Sequence, residues 1–464
     1  MKKLLLLLVG NLALFGSTMA QPEGDWLGYL RIEAITLKIV FHIKTDGSGY
    51  KATMDSPDQG AHGLVFKQVI WNSPRLTLQM PEISGVYSGE LKGDSLIGEW
   101  LQGNVMVPLN LVRDHGEATD PNPRPQLPQA PFNYVIKEVK VKNPAGNIEL
   151  AGTLTLPKGK GPFPAVILVS GSGPHDRDGS MFGHKPFWVL AHELTRSGIA
   201  VLRYDDRGVG ASKGTFRGAK TSDFANDARA MLNYLRTLPE VNPQRAGVIG
   251  HSEGGLIAWL LAQDSIPPSF VVSLAGPGTA MDELMLLQTQ MMAQDAGVSN
   301  EQAAKSLALN RELYQLVKSH DDSVALRTKI TAKLVDYKKS NGEDPKSVQA
   351  LQEIGATTMT LVDPWFREFI RYDPVTLIQK INVPVFAMNG QLDRQVSANE
   401  NLRSISDNLV IATLVKSRIQ QYPGLNHLFQ SAQTGNPNEY GKLRETFSPQ
   451  VMEDIADWIF KTIP

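Results

Sequence analysis

Residues 4–15 form an almost unbroken apolar run, after which the pattern changes twice along the chain. From 21 to about 113, apolar and polar positions alternate. Leu37, Ile39, Phe41 and Ile43 do so, as do Leu76, Leu78 and Met80, and again Val105, Val107, Leu109 and Leu111. A period of two sends successive side chains to opposite faces, which predicts strands with one buried face. Turn clusters separate these runs: Asp46-Gly47-Ser48-Gly49, Ser56-Pro57-Asp58-Gln59-Gly60, Asn72-Ser73-Pro74 and Lys92-Gly93-Asp94. Six or seven short strands are expected here, arranged as a meander, an open barrel or a sandwich.

Pro121, Pro123, Pro125, Pro128 and Pro131 follow, a spacing that favours an extended, semi-rigid spacer over a packed element. Beyond it the pattern is different. Two amphipathic strands are predicted over 135–142 and 148–156. Continuous apolar runs then stand at 165–169, 199–202, 246–249, 270–274 and 383–388, of the kind buried on both faces of a parallel sheet. Helical periodicity lies between them at 187–195, 222–236 and 256–263, and a last helix is predicted near 450–461. Such alternation predicts an α/β fold with helices on both faces of the sheet.

One stretch, 279–373, has no strand-like run and is rich in Met, Leu, Gln, Lys and Ala. It is too long for a plain connection and is expected to form its own helical subdomain. Its Met281, Met285, Met291 and Met292 suit either core packing or an adaptable pocket. The expected division is an export signal over 1–20, an all-β domain over 21–115, a linker over 116–132 and an α/β domain over 133–464.

The first run changes the picture once its flanks are read. Met1-Lys2-Lys3 precedes it and the small residues Ser17-Thr18-Met19-Ala20 follow, the layout of a secretory signal cleaved after Ala20. The run is too short to span a bilayer as a helix. Export to the periplasm or beyond is therefore expected, with no membrane anchor. The 464 residues contain no cysteine, which excludes disulfides, thiol nucleophiles and cysteine-ligated metals. Lys and Arg total 46 against 47 Asp and Glu, a net charge of −1 with no basic run, so nucleic acid is not an expected partner. Homo-oligomerisation is left open.

Gly250-His251-Ser252-Glu253-Gly254 fits G-x-S-x-G between a predicted strand and a predicted helix. At such an elbow the serine is presented as a nucleophile, and glycines let strand and helix approach closely. A serine hydroxyl needs an adjacent base, oriented in turn by a carboxylate. In this architecture the order is Ser, then Asp or Glu, then His. Of the two later histidines, His320 lies in the helical insertion among polar residues, whereas His427 lies in a loop just after a last strand-like stretch at 418–422. Asp393 lies in the glycine-containing loop after the run at 383–388 and is expected to orient His427. Its alternatives are a turn aspartate paired with Arg394, or Asp373 in its place. The expected oxyanion donors are the backbone N–H of Glu253 and, from Ser170-Gly171-Ser172-Gly173-Pro174, that of Ser172, with Gly173 second.

The stretch 203–210 carries a G-x-G but lacks a dinucleotide fingerprint and is read as a loop held by internal ion pairs. Asp176 and Asp178 lack spaced histidines, so no metal is expected. No cofactor is expected either.

Gly171-Ser172-Gly173-Pro174, the Asp-x-Arg-Gly-x-Gly-x-Ser stretch at 205–212, the Ser252 elbow, Asp393 and His427 together resemble the secreted bacterial α/β-hydrolase carboxylesterases. The resemblance covers 134–464. The N-terminal segment, with Gly98-Glu99-Trp100-x-Gln102-Gly103, also resembles the β domain that precedes some of them. The family implies an α/β-hydrolase fold with a mainly parallel sheet, a lid made by the insertion, and hydrolysis of small short-chain acyl esters through an acyl-enzyme. The oxyanion loop departs from the common His-Gly start, which leaves its donor open. Trp365 and Phe366, with Phe369 and Tyr372, suit either the core or an acyl-pocket wall. Two further readings stay open: an exported serine peptidase of the same fold, and a glycan-binding protein on a non-catalytic hydrolase scaffold.

Overall fold

The computed structural model of the chain describes residues 21–32, 35–47, 49–57, 61–103, 105–114, 124–320 and 322–463. The export signal and the first half of the expected linker lie outside them. The described residues fall into two compact units, one drawn from 21–114 and one from 124–463.

The first unit has ten strands where six or seven were expected: β1 (Gly24–Ile32), β2 (Ile35–Asp46), β3 (Gly49–Ser56), β4 (Ala61–Val65), β5 (Gln68–Asn72), β6 (Arg75–Met80), β7 (Gly85–Lys92), β8 (Ser95–Gln102), β9 (Val105–Pro108) and β10 (Leu111–Arg113). All pair antiparallel, in the order β4-β3-β2-β1-β10-β8-β7-β6-β5, with β9 on β8. The two ends of that order are joined by Phe66 and Lys67 alone. The Phe66 N–H donates to Ala52 on β3 and the Lys67 N–H to Gln79 on β6, which curls the sheet towards a barrel. Alternate residues, among them Trp26, Phe41, Leu76, Leu78 and Tyr87, fill its interior. One of the extra strands arises because β4 and β5 are divided by Phe66-Lys67, a junction with no glycine, proline or other turn signal.

The second unit carries an eight-stranded sheet: β11 (Tyr134–Asn143), β12 (Ile148–Pro157), β13 (Phe163–Val169), β14 (Ala200–Tyr204), β15 (Val241–His251), β16 (Val271–Leu274), β17 (Val385–Gly390) and β18 (Arg418–Tyr422). Their order is β11-β12-β14-β13-β15-β16-β17-β18. β11 and β12 are antiparallel and the rest run parallel, joined by helical crossovers. The continuous apolar runs serve two layers at once. On β13, Ala165, Ile167 and Val169 point into one core and Val166 and Leu168 into the other. On β17, Val385 and Ala387 are divided from Phe386 and Met388 in the same way. Helices α1 (Pro186–Arg196), α2 (Thr221–Arg236) and α3 (Glu253–Leu261) connect the first parallel strands. α2 and α3 cover one face through Ala228, Met231, Leu256 and Trp259. α1 covers the other with the last helix, through Leu190, Leu194, Val451 and Ile455.

Between β16 and β17 stand α4 (Met281–Asp295), α5 (Asn300–Ser319), α6 (Ser323–Ser340), α7 (Val348–Val362), α8 (Pro364–Phe369) and α9 (Pro374–Ile378). Side-chain caps fix the starts of all but α4. Ser299, Asp322, Ser347, Asp363 and Asp373 each accept from a backbone N–H two or three residues on, satisfying donors that a helix end leaves free. The insertion has its own core, with Leu313, Val317, Leu326, Ile330 and Phe366 in it. The Met cluster lines no common pocket: Met281 is buried in the main core, and Met292 is 52% exposed.

Candidate active site

The site is assembled at the carboxyl ends of the parallel strands. β15 ends at His251 and α3 begins at Glu253, so Ser252 alone makes the turn between them, at φ 55° and ψ −119°. L-residues rarely hold this conformation, and it persists only where neighbours impose it. Here the Ser252 N–H donates to Leu274 (2.9 Å), and its carbonyl accepts from Gly255 (2.8 Å). Space imposes it too. A Cβ on Gly250 would lie 2.0 Å from the Gly254 carbonyl oxygen, and one on Gly254 would lie 2.3 Å from that of Val169. Gly250→Ala therefore has no relaxed position, and we expect it to destabilise the fold by at least about 2 kcal/mol, read by chemical denaturation. An unchanged midpoint would show that the turn can open without cost.

Asp393 follows β17 and His427 follows β18, neighbouring strands whose loops converge. The His427 Nδ1–H donates to Asp393 Oδ2 at 2.6 Å, and both residues are 3% exposed. The other Asp393 oxygen accepts from the N–H groups of Gln395 (2.8 Å) and Val396 (2.9 Å), which holds the carboxylate on the ring. Arg394 turns away to Asp295 on α4 (2.9 Å), so the ion pair weighed for Asp393 is made elsewhere. Asp373 caps α9 and His320 lies against Leu316 and Lys329 in the insertion, so neither takes part. Asn426 fixes the histidine loop by accepting from the N–H groups of Leu428 and Gln430, both at 3.0 Å.

Gly171 brings the oxyanion loop to the elbow, where a Cβ on it would lie 3.0 Å from that of Ser252. Among the described contacts, the backbone N–H groups of Ser172 and Glu253 donate to nothing in the protein, and that of Glu253 opens α3. Free N–H groups at a helix N-terminus favour a developing anion. No hydrogen bond among the described residues joins the Ser252 hydroxyl to His427, and such bonds often tighten only with substrate in place.

Two groups in the elbow motif escaped the sequence reading. His251 donates from Nε2 to the His427 carbonyl (2.9 Å), with the two rings 4.7 Å apart. Burial, reinforced by the facing His427, pushes its pKa down to about 3. The unfolded chain takes up this proton below about pH 6.5. The stability tied to a neutral His251 is thus full above that pH and is lost as pH falls towards 3. His251→Gln cannot titrate, so its melting temperature should fall less steeply than that of the native protein below pH 6.5. Parallel curves would remove His251 from the acid response.

The second group is the Glu253 side chain, which is 3% exposed. It accepts from Thr221 Oγ1 (2.6 Å), Trp365 Nε1 (2.9 Å) and Ser172 Oγ (2.7 Å). Burial raises its pKa, and the three hydrogen bonds oppose that rise. Both groups occupy the variable positions of G-x-S-x-G, and a polar residue at each was the available signal.

Trp365 thus reaches the elbow, its ring stacked on Phe369 at 4.8 Å. Phe366 does not: it is 4% exposed within the insertion's own core, about 100° further round α8. The narrow pocket beside the elbow is lined instead by Met181, Phe187, Leu274, Leu428 and Phe447, with Gly171 and His251. Gly173 stands at φ 106° in the loop and borders a smaller cavity with Asp206 and Glu253. The charges of 203–210 are used structurally. Arg177 pairs with Asp205 (2.8 Å), Arg207 with Asp227 (2.7 Å), and Arg203 and Lys185 with Asp178. Asp206 accepts from Ser170 Oγ and the His175 N–H, both at 2.9 Å, which anchors the base of the oxyanion loop. Burial pushes the Asp206 pKa up to about 8.

This sheet order, with a serine on the turn after its central strand and an Asp–His pair on the next loops, defines an α/β-hydrolase. The chain belongs to the serine aminopeptidase S33 family, whose model matches residues 187–431. It is 27% identical over 316 residues to esterase EstD of Thermotoga maritima, covering 67% of this chain and 66% of that one. It is 29% identical over 131 residues to a putative carboxymethylenebutenolidase of Synechocystis, covering 27% of this chain and 53% of that one. The chain thus spans less than two thirds of either relative. Among solved structures, it resembles the Pyrococcus furiosus esterase Pf2001 at 15% identity and a TM-score of 0.43, over 75% of this chain and 100% of that one. The sheet order, rather than that score, identifies the fold.

Proposed function

We propose that the protein is an exported serine hydrolase that cleaves short-chain carboxylic esters through Ser252, His427 and Asp393. The observation that carries the reading is the strained serine turn facing the loop on which the buried Asp393 holds His427 Nδ1 at 2.6 Å. Ser252 Oγ attacks the ester carbonyl as His427 Nε2 takes its proton, and Asp393 stabilises the imidazolium. The N–H groups of Glu253 and Ser172 receive the oxyanion, each worth about 3 kcal/mol in comparable sites. The alcohol leaves with the proton from His427. Water, deprotonated by the same nitrogen, then attacks the acyl-enzyme, and the acid departs.

The pocket beside the elbow is narrow and mostly apolar, which supports a short acyl chain. The esterase relative supports an ester over an amide. The family's aminopeptidase members favour the second reading, but an aminopeptidase must hold a substrate ammonium. The carboxylates near the elbow, Glu253, Asp206 and Glu368, are already engaged by donors of the protein. Export rests on the pattern of residues 1–20.

The test is a panel of p-nitrophenyl esters from acetate to octanoate beside aminoacyl p-nitroanilides, with a fluorophosphonate probe and peptide mapping. The expected result is one adduct on Ser252, ester turnover highest at the short end and slow amide cleavage. Faster amide cleavage would establish the peptidase. Absence of both activities and of the adduct would leave the non-catalytic scaffold.

A further inference from the structure

We infer that the Glu253 carboxylate is a positioning group that couples the helical insertion to the oxyanion loop. The inference rests on the proposed serine-hydrolase reading and adds a residue to it. One Glu253 oxygen accepts from Trp365 of α8 and Thr221 of α2, and the other from Ser172 at the tip of the oxyanion loop. A buried carboxylate with no cation among its partners is a poor way to stabilise a fold. Its three donors offset its desolvation and come from three separate elements, which makes it a junction.

The geometry on each side is selective. α8 is moored at this end twice, by Trp365 on Glu253 and by Glu368, which accepts from the N–H and hydroxyl of Ser222 at 3.1 Å each. The oxyanion loop is anchored at its base by Asp206, whereas at its exposed tip the Ser172 hydroxyl reaches Glu253 and its carbonyl accepts from His175 (3.0 Å). These contacts set the direction of the Ser172 peptide and so of its free N–H. When α8 docks, the Trp365 N–H holds the carboxylate in the orientation that receives the Ser172 hydroxyl. The amide then points at the place where the oxyanion forms. Because that contact strengthens in the transition state, its loss appears in kcat and not in KM.

Two substitutions isolate the link. Trp365→Phe keeps an aromatic ring to stack on Phe369 while removing the indole N–H and the smaller of the two fused rings. Ser172→Ala keeps the amide and removes only the hydroxyl. Each is expected to lower kcat for p-nitrophenyl acetate by about tenfold with KM within about twofold, and the double variant to be no slower than the slower single one. Glu253→Ala should lose about a hundredfold. Glu253→Gln should recover much of that, since its amide oxygen still accepts from Trp365 and Thr221 and the Ser172 hydroxyl can reverse to accept from its NH₂. Losses that multiply in the double variant, a change in KM alone, or an unaffected kcat in Trp365→Phe would each overturn the coupling, provided melting curves show the variants folded. Failure of the wild type to form a fluorophosphonate adduct at Ser252 would instead remove the reading beneath it, and the coupling with it.

Discussion

Ser252→Ala is expected to lower kcat for p-nitrophenyl acetate by about 10⁶-fold while leaving the protein folded. On the proposed reading the hydroxyl is the atom that becomes acylated, and no neighbour can replace it. The chain has no cysteine. Neither nearby serine is free to act as the nucleophile, since Ser170 donates to Asp206 and Ser172 to Glu253. What survives is the rate conferred by the oxyanion donors and the pocket, roughly 10³–10⁴-fold over water. Steady-state turnover, with adventitious hydrolase removed by repeated purification, measures the loss. A rate within tenfold of wild type would sink the nucleophile. The backbone provides a control that needs no activity. Alanine keeps a Cβ at φ 55° and glycine does not, so Ser252→Gly should melt at a higher temperature than Ser252→Ala.

Asp393→Asn is expected to cost about 10⁴ in kcat with little change in KM. The direction follows from hydrogen-bond polarity. One Asp393 oxygen receives the N–H groups of Gln395 and Val396, so an asparagine would keep its carbonyl there. Its NH₂ would then face His427 Nδ1, where the carboxylate now accepts at 2.6 Å. Two donors cannot share that contact. The ring therefore adopts the tautomer protonated on Nε2, which cannot take a proton from Ser252. Asp393→Ala removes the clash along with the charge and should be less damaged than a tautomer block alone would allow. A loss below tenfold in Asp393→Asn would show that another group orients the histidine.

Much of the site was legible because its chemistry is local. The turn after β15 needs a serine in a rare conformation, with small neighbours on both sides, and those demands fall within five consecutive residues. Asp393 could be placed because it follows an apolar run that reads as an inner strand, and His427 because it follows the strand-like stretch 418–422 in the order this architecture requires. Continuous runs also marked the parallel strands, since residues such as Val166 and Ile167 must satisfy a core on each face. The N-terminal sheet was less readable. Its strands were visible by alternation, but its closure depends on Phe66 and Lys67 each donating to a different strand, and composition carries no trace of that.

The side chains around the elbow were the least legible. A buried glutamate cannot be told from a solvated one by its neighbours in the chain. The partners of Glu253 stand 32, 81 and 112 residues away, on α2, the oxyanion loop and α8. Trp365 and Phe366 are adjacent and were given one role, yet Trp365 donates to Glu253 whereas Phe366 is buried in the core of the insertion. The pocket is lined by Met181, Phe187, Leu428 and Phe447, which no motif connects.

The amino-acid sequence by itself therefore determined the order of elements, the elbow and the residues expected to do chemistry there. Periodicity, turn chemistry and the steric needs of one backbone turn are properties of short stretches. The tertiary structure decided that the N-terminal sheet curls, that His251 packs against His427, and that Glu253 joins three elements. Burial and hydrogen bonding between distant segments exist only once the chain has folded and water has been excluded from between them.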